Sequence, residues 1–375
     1  MRTEICERLG IEVPVFAFSH CRDVVAAVTN AGGMGVLGAI AYSAEELETE
    51  LRWIDERVGG RPYGVDVLVP GKIAEGVSGN DVLRLIPDEH LEFVGRLLER
   101  YGVRGGELGA GLSRQADDAA RRVTAAGATA LIDVALQHPI GLIASALGPP
   151  PPEMVERARA AGVPVAALVG TVEHARRQVA AGADVIVAQG TEAGGHTGEI
   201  STMVLVPQVV DAVGDVPVLA AGGIADGRQV AAALALGAQG VWCGSVWLTT
   251  EEAETLPSVK AKMLAASSSD TVRSRSRTGK PARQLRSAWT REWDESADSP
   301  GSLPMPLQLL VAEGAMARIG PAAEAGGEGA RDLANYFVGQ VVGMMNSVKP
   351  ARQVVYEMME RYGEAVDRLA GLGRD

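Results

Sequence analysis

The chain has 375 residues, of which 47% are apolar but only 4% aromatic, so a large core must be aliphatic, which suits helices packed on a sheet better than an all-β sandwich. A formal charge of −12 argues against a general binder of nucleic acid or of an anionic membrane, because both need a basic surface. No apolar run reaches the ~18 residues that span a bilayer, Met1–Glu4 lead into a charged segment and not an apolar signal core, and Cys6, Cys21 and Cys243 show no CxxC spacing; the expectation is a soluble cytoplasmic protein without a disulfide framework or a metal site.

Eight short apolar runs follow one another along the chain: Val13–His20, Met34–Ile40, Tyr63–Val69, Ile140–Leu147, Val163–Gly170, Asp184–Gly190, Val216–Gly223 and Gly240–Ser245. Most are continuous and rich in Val, Ile, Leu and Ala, the texture of strands buried on both faces. Helix signals lie between them. Pro151-Pro152-Glu153 opens a helix that stops at Gly162, Thr171-Val172-Glu173 opens one ending at Gly182, and Asp226 is an N-cap for one ending at Gly237. Strand and helix in alternation imply a parallel sheet with right-handed crossovers, and eight units imply closure into a (β/α)8 TIM barrel, an α/β fold.

Two stretches break the alternation. Residues 70–139 are too long for one loop and contain amphipathic patterns at His90–Tyr101 and Ser113–Ala126, so they read as a helical insertion after the third strand. Residues 251–375 are polar and irregular to about Pro306 and helical beyond, a C-terminal extension expected to pack on the barrel within a single domain, 1–375.

Active sites of such barrels sit at the C-terminal strand ends, and the loops after strands seven and eight form the usual phosphate site. Here those ends carry Gly222-Gly223 before the helix capped by Asp226, and Gly244-Ser245. Glycines let backbone amides approach a phosphate, and a helix N-terminus adds favourable partial charge. The sixth strand runs into Gln189-Gly190-Thr191-Glu192-Ala193-Gly194-Gly195-His196-Thr197-Gly198. Gln189 offers donors and an acceptor at the barrel mouth. Gly194 and Gly195 permit a backbone pressed against a flat ring or a phosphate, and His196 follows them with an imidazole suited to general-base work.

This loop, together with Ala220-Ala221-Gly222-Gly223-Ile224-Ala225-Asp226-Gly227-Arg228, Gly237-Ala238-Gln239-Gly240-Val241 and Asn30-Ala31-Gly32-Gly33-Met34-Gly35, closely resembles the nitronate monooxygenase family, formerly called 2-nitropropane dioxygenases. The resemblance covers roughly the first 250 residues, most loosely across the insertion, and takes in Gly279-Lys280-Pro281-Ala282-Arg283. It implies non-covalent FMN in a (β/α)8 barrel, with Gln189, Gly194 and Gly195 against the flavin and Gly222, Gly223, Gly244 and Ser245 on its phosphate. His196 matches the family's catalytic histidine. Two positions depart from the family pattern. The first strand ends in Ala17-Phe18-Ser19-His20 where members commonly have Ala-Pro-Met, and Asp66 stands where the third strand usually offers Asn. A carboxylate there would oppose negative charge on a reduced ring unless it is protonated or paired.

The implied reaction is oxidation of alkyl nitronates or nitroalkanes by O2, with His196 as base. The alternative with the same histidine loop is an NAD(P)H-dependent FMN enoyl (acyl-carrier-protein or CoA) reductase or quinone reductase, and a ligand-binding barrel without activity is a third reading. The partners are therefore a small-molecule substrate and O2, or NAD(P)H in the alternative. His20 divides evenly between site and core. His90 and His174 read as surface residues, His138 as structural, and Cys243 as a small buried hydrophobe. The basic run Arg273, Arg275, Arg277, Lys280, Arg283 and Arg286 reads first as a solvated or acid-paired segment and second as a phosphate grip.

Overall fold

The computed structural model describes residues 2–68, 84–104, 125–146 and 148–372. Eight parallel strands close into a barrel: β1 Val15–Ser19, β2 Met34–Gly38, β3 Gly64–Leu68, β4 Leu142–Ala146, β5 Val165–Val169, β6 Val185–Gln189, β8 Val218–Ala221 and β9 Gly240–Cys243. The last joins the first in register, Val15 beside Val241 and Ala17 beside Cys243. Each of the eight apolar runs contains one strand of this barrel. The runs are continuous because alternate residues enter two cores. Phe16, Met34, Val36, Val185, Val187 and Leu219 share one buried cluster with Ile5, Cys6 and Leu9 of the short helix Glu4–Leu9. Their strand neighbours Val15, Ala17, Ile186 and Ala188 pack with Val24, Val28, Leu205 and Val230 of the surrounding helices.

The helices begin and end close to their sequence signals. Those expected at 151–162, 171–182 and 226–237 are Pro152–Ala160, Val172–Ala180 and Gly227–Ala235. Thr171 caps the second by accepting from the His174 amide at 3.1 Å, and Asp226 caps the third in a full capping box with Gln229. In the insertion, the helix expected at His90–Tyr101 is Asp88–Arg100. The one expected at Ser113–Ala126 lies outside the described residues except for its last two, which open the helix Ala125–Ala135.

Two expectations need correcting. His90 is not a surface residue but 4% exposed, with Nε2 3.1 Å from the Gly301 carbonyl and its ring against Trp293. It shares a helix face with Phe93, Val94 and Leu97, and that face packs on Trp289, Trp293 and Val311 of the extension. The segment expected to be irregular contains two strands, β10 Thr271–Ser274 and β11 Ala282–Leu285, paired antiparallel. A two-residue strand, β7 Gly195–His196, adds to β11, with Ala282 beside His196 and Arg283 beside Gly195. The extension continues through the helices Pro257–Ala265, Ala288–Asp294, Leu307–Glu324, Glu328–Leu333 and Ala351–Leu372. Among the described residues no helix is long and apolar enough to cross a membrane.

Candidate active site

A cavity of about 1440 Å³ opens over the strand ends, and Gln189, Gly194, Gly195, His196, Gly222, Gly223, Gly244 and Ser245 all line it. The fold therefore brings together every residue singled out as a site residue, from the ends of β6, β8 and β9. The extension completes the walls with Arg277, Thr278, Lys280 and Phe337.

The histidine loop is held at both ends from outside the barrel. Arg283 donates from Nε to the Thr191 carbonyl at 2.8 Å, and Arg273 from Nη2 to the Thr197 carbonyl at 3.2 Å. Glu192 Oε2 accepts from the Thr202 amide at 3.0 Å, and Thr202 Oγ1 lies 2.9 Å from both Glu192 Oε2 and the Gly222 carbonyl, which ties this loop to the next. Two residues of the basic run thus position backbone; of the rest, Arg275 and Lys280 are exposed and Arg286 is exposed beside Glu295 at 3.9 Å, the solvated or acid-paired state expected of the run. Arg277, 5% exposed, pairs with Glu313 at 2.6 Å and donates to Asn335 Oδ1 at 2.8 Å. Neither the loop-holding arginines nor Thr278 carries a local pattern that would have announced its role; only the pairing of β11 with β7 brings them to the loop.

His196 Nε2 lies 2.8 Å from Thr278 Oγ1, which in turn lies 3.2 Å from the Lys280 carbonyl. A hydroxyl has one proton; with that proton donated to Lys280 O, Thr278 accepts from His196. The imidazole proton then sits on Nε2 and the lone pair on Nδ1. Burial, with the Lys280 ammonium nearby, holds the His196 pKa down to about 4, so the ring is neutral at pH 7.

At the first glycine turn, Gly222 has φ +96°, and a Cβ there would lie 2.9 Å from the Gly190 carbonyl oxygen, so no other residue fits. A Cβ on Gly223 would face Glu192 at 3.3 Å. The Gly223 carbonyl accepts from Gln229 Nε2, while Gln229 Oε1 accepts the Ala225 and Asp226 amides at 2.8 and 3.0 Å. The start of the helix Gly227–Ala235 is already occupied, because Asp226 Oδ1 accepts the Arg228 amide at 2.9 Å. In this turn the amides of Gly222, Gly223 and Ile224 have no intramolecular acceptor among the described residues. At the second turn Ser245 Oγ accepts the Gly339 amide at 2.8 Å and keeps its own proton to donate.

Space above the site is open where a ring would need it. Among the described residues, a Cβ on Gly195 would meet nothing within 4 Å, and one on Gly244 only Phe18, at 3.8 Å. The Gln189 side chain has no hydrogen-bond partner among the described residues. Gly194 differs, since a Cβ there would lie 2.9 Å from Val338 Cα and the Gly339 nitrogen; its missing side chain admits the extension. The arrangement suits a flat heterocycle with a terminal phosphate.

Asp66, 6% exposed, also lines the cavity and has no hydrogen-bond partner among the described residues. Burial pushes its pKa up to about 8, so at neutral pH it is a protonated acid, the nearest carboxyl equivalent of a neutral Asn. His20 belongs to both readings: it lines the cavity and its Nδ1 lies 2.9 Å from the Gly38 carbonyl, with burial lowering its pKa. His138 is structural, clamped between Asp55 at 2.6 Å and Glu48 at 2.9 Å, and His174 is exposed. Cys243 is buried, which pushes its thiol up to about 12.

A closed (β/α)8 barrel with this cavity over its strand ends is a TIM-barrel enzyme. The family model described as nitronate monooxygenase matches residues 11–361, and the chain belongs to that family of flavin-dependent oxidoreductases. It is 61% identical over 378 residues to a putative monooxygenase of Mycobacterium tuberculosis, covering 99% of both chains. It is 30% identical over 331 residues to a probable nitronate monooxygenase of Staphylococcus saprophyticus, covering 83% of this chain and 86% of the relative. Among solved structures, a nitroalkane oxidase from Streptomyces ansochromogenes superposes with a TM-score of 0.77 at 27% identity, over 97% of this chain and 99% of the other.

Proposed function

We propose that the protein binds FMN and oxidises alkyl nitronates, or the nitroalkanes that yield them, with O2. The observation that carries this reading is a neutral imidazole on a glycine loop in the cavity wall: His196, with Nε2 engaged by Thr278. FMN, when bound, supplies the acceptor that passes reducing equivalents on to O2. The amides of Gly223 and Ile224 and the Ser245 hydroxyl, beside Gly222 and Gly244, would hold the phosphate. Gln189 would reach the heterocycle, and the backbone at Gly194 and Gly195 would lie beside it. His196 takes the α-proton of a neutral nitroalkane onto Nδ1, leaving the nitronate; with a substrate that has already lost that proton, it only orients. Protonated Asp66 adds no charge to a wall that must face an anionic substrate.

The purified protein should be yellow and release FMN, not FAD, on denaturation. His196→Asn should keep FMN but lose ~10²–10⁴-fold in turnover of a neutral nitroalkane, the usual cost of removing a general base. Turnover of the pre-formed nitronate should fall far less. Undiminished turnover of the nitroalkane would show that His196 is not the base. Anaerobic bleaching of the flavin by NADH or NADPH, with none by nitronate, would move the protein to the reductase reading.

A further inference from the structure

Among the described residues, the lysine and arginine side chains that line the cavity are Arg177, Arg277 and Lys280. Arg277 is paired with Glu313 at 2.6 Å, and Arg177 stands on the helix Val172–Ala180. Lys280 comes two residues after Thr278, which holds His196, and its ammonium has no carboxylate partner among the described residues. The acids of the lining leave it free: Asp66 is protonated, Glu313 is engaged by Arg277, and Glu254 groups with Cys21 and Asp23 after β1.

The backbone of Lys280 is fixed while its charge is free. The Thr278 hydroxyl donates to the Lys280 carbonyl at 3.2 Å and accepts the Lys280 amide at 3.3 Å, and the same oxygen lies 2.8 Å from His196 Nε2. One atom thus sets both the backbone of Lys280 and the ring of His196. Between Thr278 and Lys280, Gly279 has φ +80° and is seated so closely that a Cβ would strike the Leu303 carbonyl and the Met305 nitrogen, which holds the turn in place. Ala282, two residues on, pairs with His196 across β11 and β7. The ammonium is near enough to disfavour a second positive charge on the His196 ring. A cation beside a neutral base serves a reaction that makes or receives an anion. When His196 takes the α-proton onto Nδ1, the pair of the broken C–H bond stays with the substrate and spreads onto the two nitro oxygens; an ammonium beside them lowers the energy of that charge as it develops. A pre-formed nitronate needs the same group on arrival, because the field of a chain with formal charge −12 repels it.

We infer that Lys280 is the receptor for the anionic head of the substrate: a planar oxyanion pairs with its ammonium while the adjoining carbon faces His196. The inference rests on the nitronate reading for the identity of the substrate only. Nitrate, a planar oxyanion with no carbon and no proton to give, is the probe that needs no turnover. In calorimetric titration it should bind the FMN-loaded protein, and Lys280→Gln should weaken that binding about tenfold or more, the scale of a hydrogen bond to a charged group. Lys280→Arg should largely retain it. Lys280 is exposed, so both variants should fold. In O2 uptake with ethyl nitronate, kcat/KM of the wild type should fall as salt is raised, because salt screens the attraction. Lys280→Gln should start about tenfold lower and show no such fall. With neutral nitroethane, the acid limb set by His196 should move to higher pH in Lys280→Gln, since removing a neighbouring cation eases protonation of the ring. No nitrate binding by the wild type, equal nitrate affinity in Lys280→Gln, or a fall with salt that survives the substitution would overturn the inference. Nitrate binding that depends on Lys280, in a protein that turns over no nitronate, would leave the anion site standing and remove the nitronate reading.

Discussion

Asp66 and Thr278 each tune the cavity through a single proton. Asp66 stays neutral because nothing among the described residues pairs with it and burial raises its pKa to about 8. As pH rises through that value it becomes an anion in the cavity wall, so turnover of an anionic nitronate should decline on the alkaline side. Asp66→Asn should remove that decline in a pH–rate profile. Stability follows the same proton. A folded pKa raised above the unfolded value of about 3.9 contributes stability that is fully present below that value and lost as pH rises through about 8. Thermal melts should therefore show Asp66→Asn gaining on the wild type between pH 5 and pH 9; parallel curves would mean that Asp66 is ionised throughout. Thr278 fixes the tautomer of His196 by accepting from Nε2. Thr278→Val should lower kcat on a neutral nitroalkane about tenfold with little change in KM, the scale of one hydrogen bond, and Thr278→Ser should restore it. Loss confined to KM would point to substrate contact and not to positioning.

At the scale of elements, the site depends on the extension reaching back over the barrel. The segment Val338–Gln340 ties two loops together: the Gly339 amide donates to Ser245 Oγ at 2.8 Å and the Gln340 amide to the Glu192 carbonyl at 2.9 Å. Gly194→Ala would push a methyl against Val338 and Gly339. It should cost about 1–3 kcal/mol of stability, as overpacking does, and weaken flavin retention, measured by dialysis, because the loops after β6 and β9 lose their common tie. Gly195→Ala meets no atom of the described residues, so its effect beyond the strain of φ +77° should appear mainly in flavin affinity. The barrel itself was legible in the sequence because strands buried on both faces leave continuous apolar runs, and Asp226 announced its helix by its own side-chain chemistry. The sheet of β7, β10 and β11 was not legible, since strands of two and four residues such as Gly195–His196 and Ala282–Leu285 carry no period. His196 and the glycine turns could be found from local pattern. Arg273, Arg283, Thr278 and Gly339 could not, because each acts on residues 76 or more positions away in the chain.

Over the whole molecule, the last helix supports the first glycine turn. Ala351–Leu372 packs Val355 and Met358 into the core that holds Val230 and Ala233 of the helix Gly227–Ala235. Its close approach requires Gly227, where a Cβ would strike the Met358 carbonyl and the Tyr362 amide. Arg361 Nη1 donates to Asp226 Oδ2 at 2.5 Å, and Asp226 is only 3% exposed. Burial alone would raise the pKa of Asp226, but the Arg228 amide and the Arg361 and Arg228 guanidinium groups hold it below the ordinary carboxylate value. Asp226 and Gln229 in turn fix the backbone from Gly223 to Arg228, so a contact spanning 135 residues sets the geometry of the proposed phosphate turn. Arg361→Met keeps the packing of the stem and removes the charge. It should destabilise the protein by about 1–2 kcal/mol at neutral pH, since a charged hydrogen bond is lost to a carboxylate that retains Arg228, with a discount because Arg361 is half exposed. A folded pKa below the unfolded one contributes stability that is present above the unfolded value and lost as pH falls through the folded value. The difference between wild type and Arg361→Met should therefore be full at pH 7 and shrink below pH ~4. Flavin should also leave the variant faster at pH 7. A stability difference that persists unchanged into acid would assign the effect to packing of the Arg361 stem and not to its charge on Asp226.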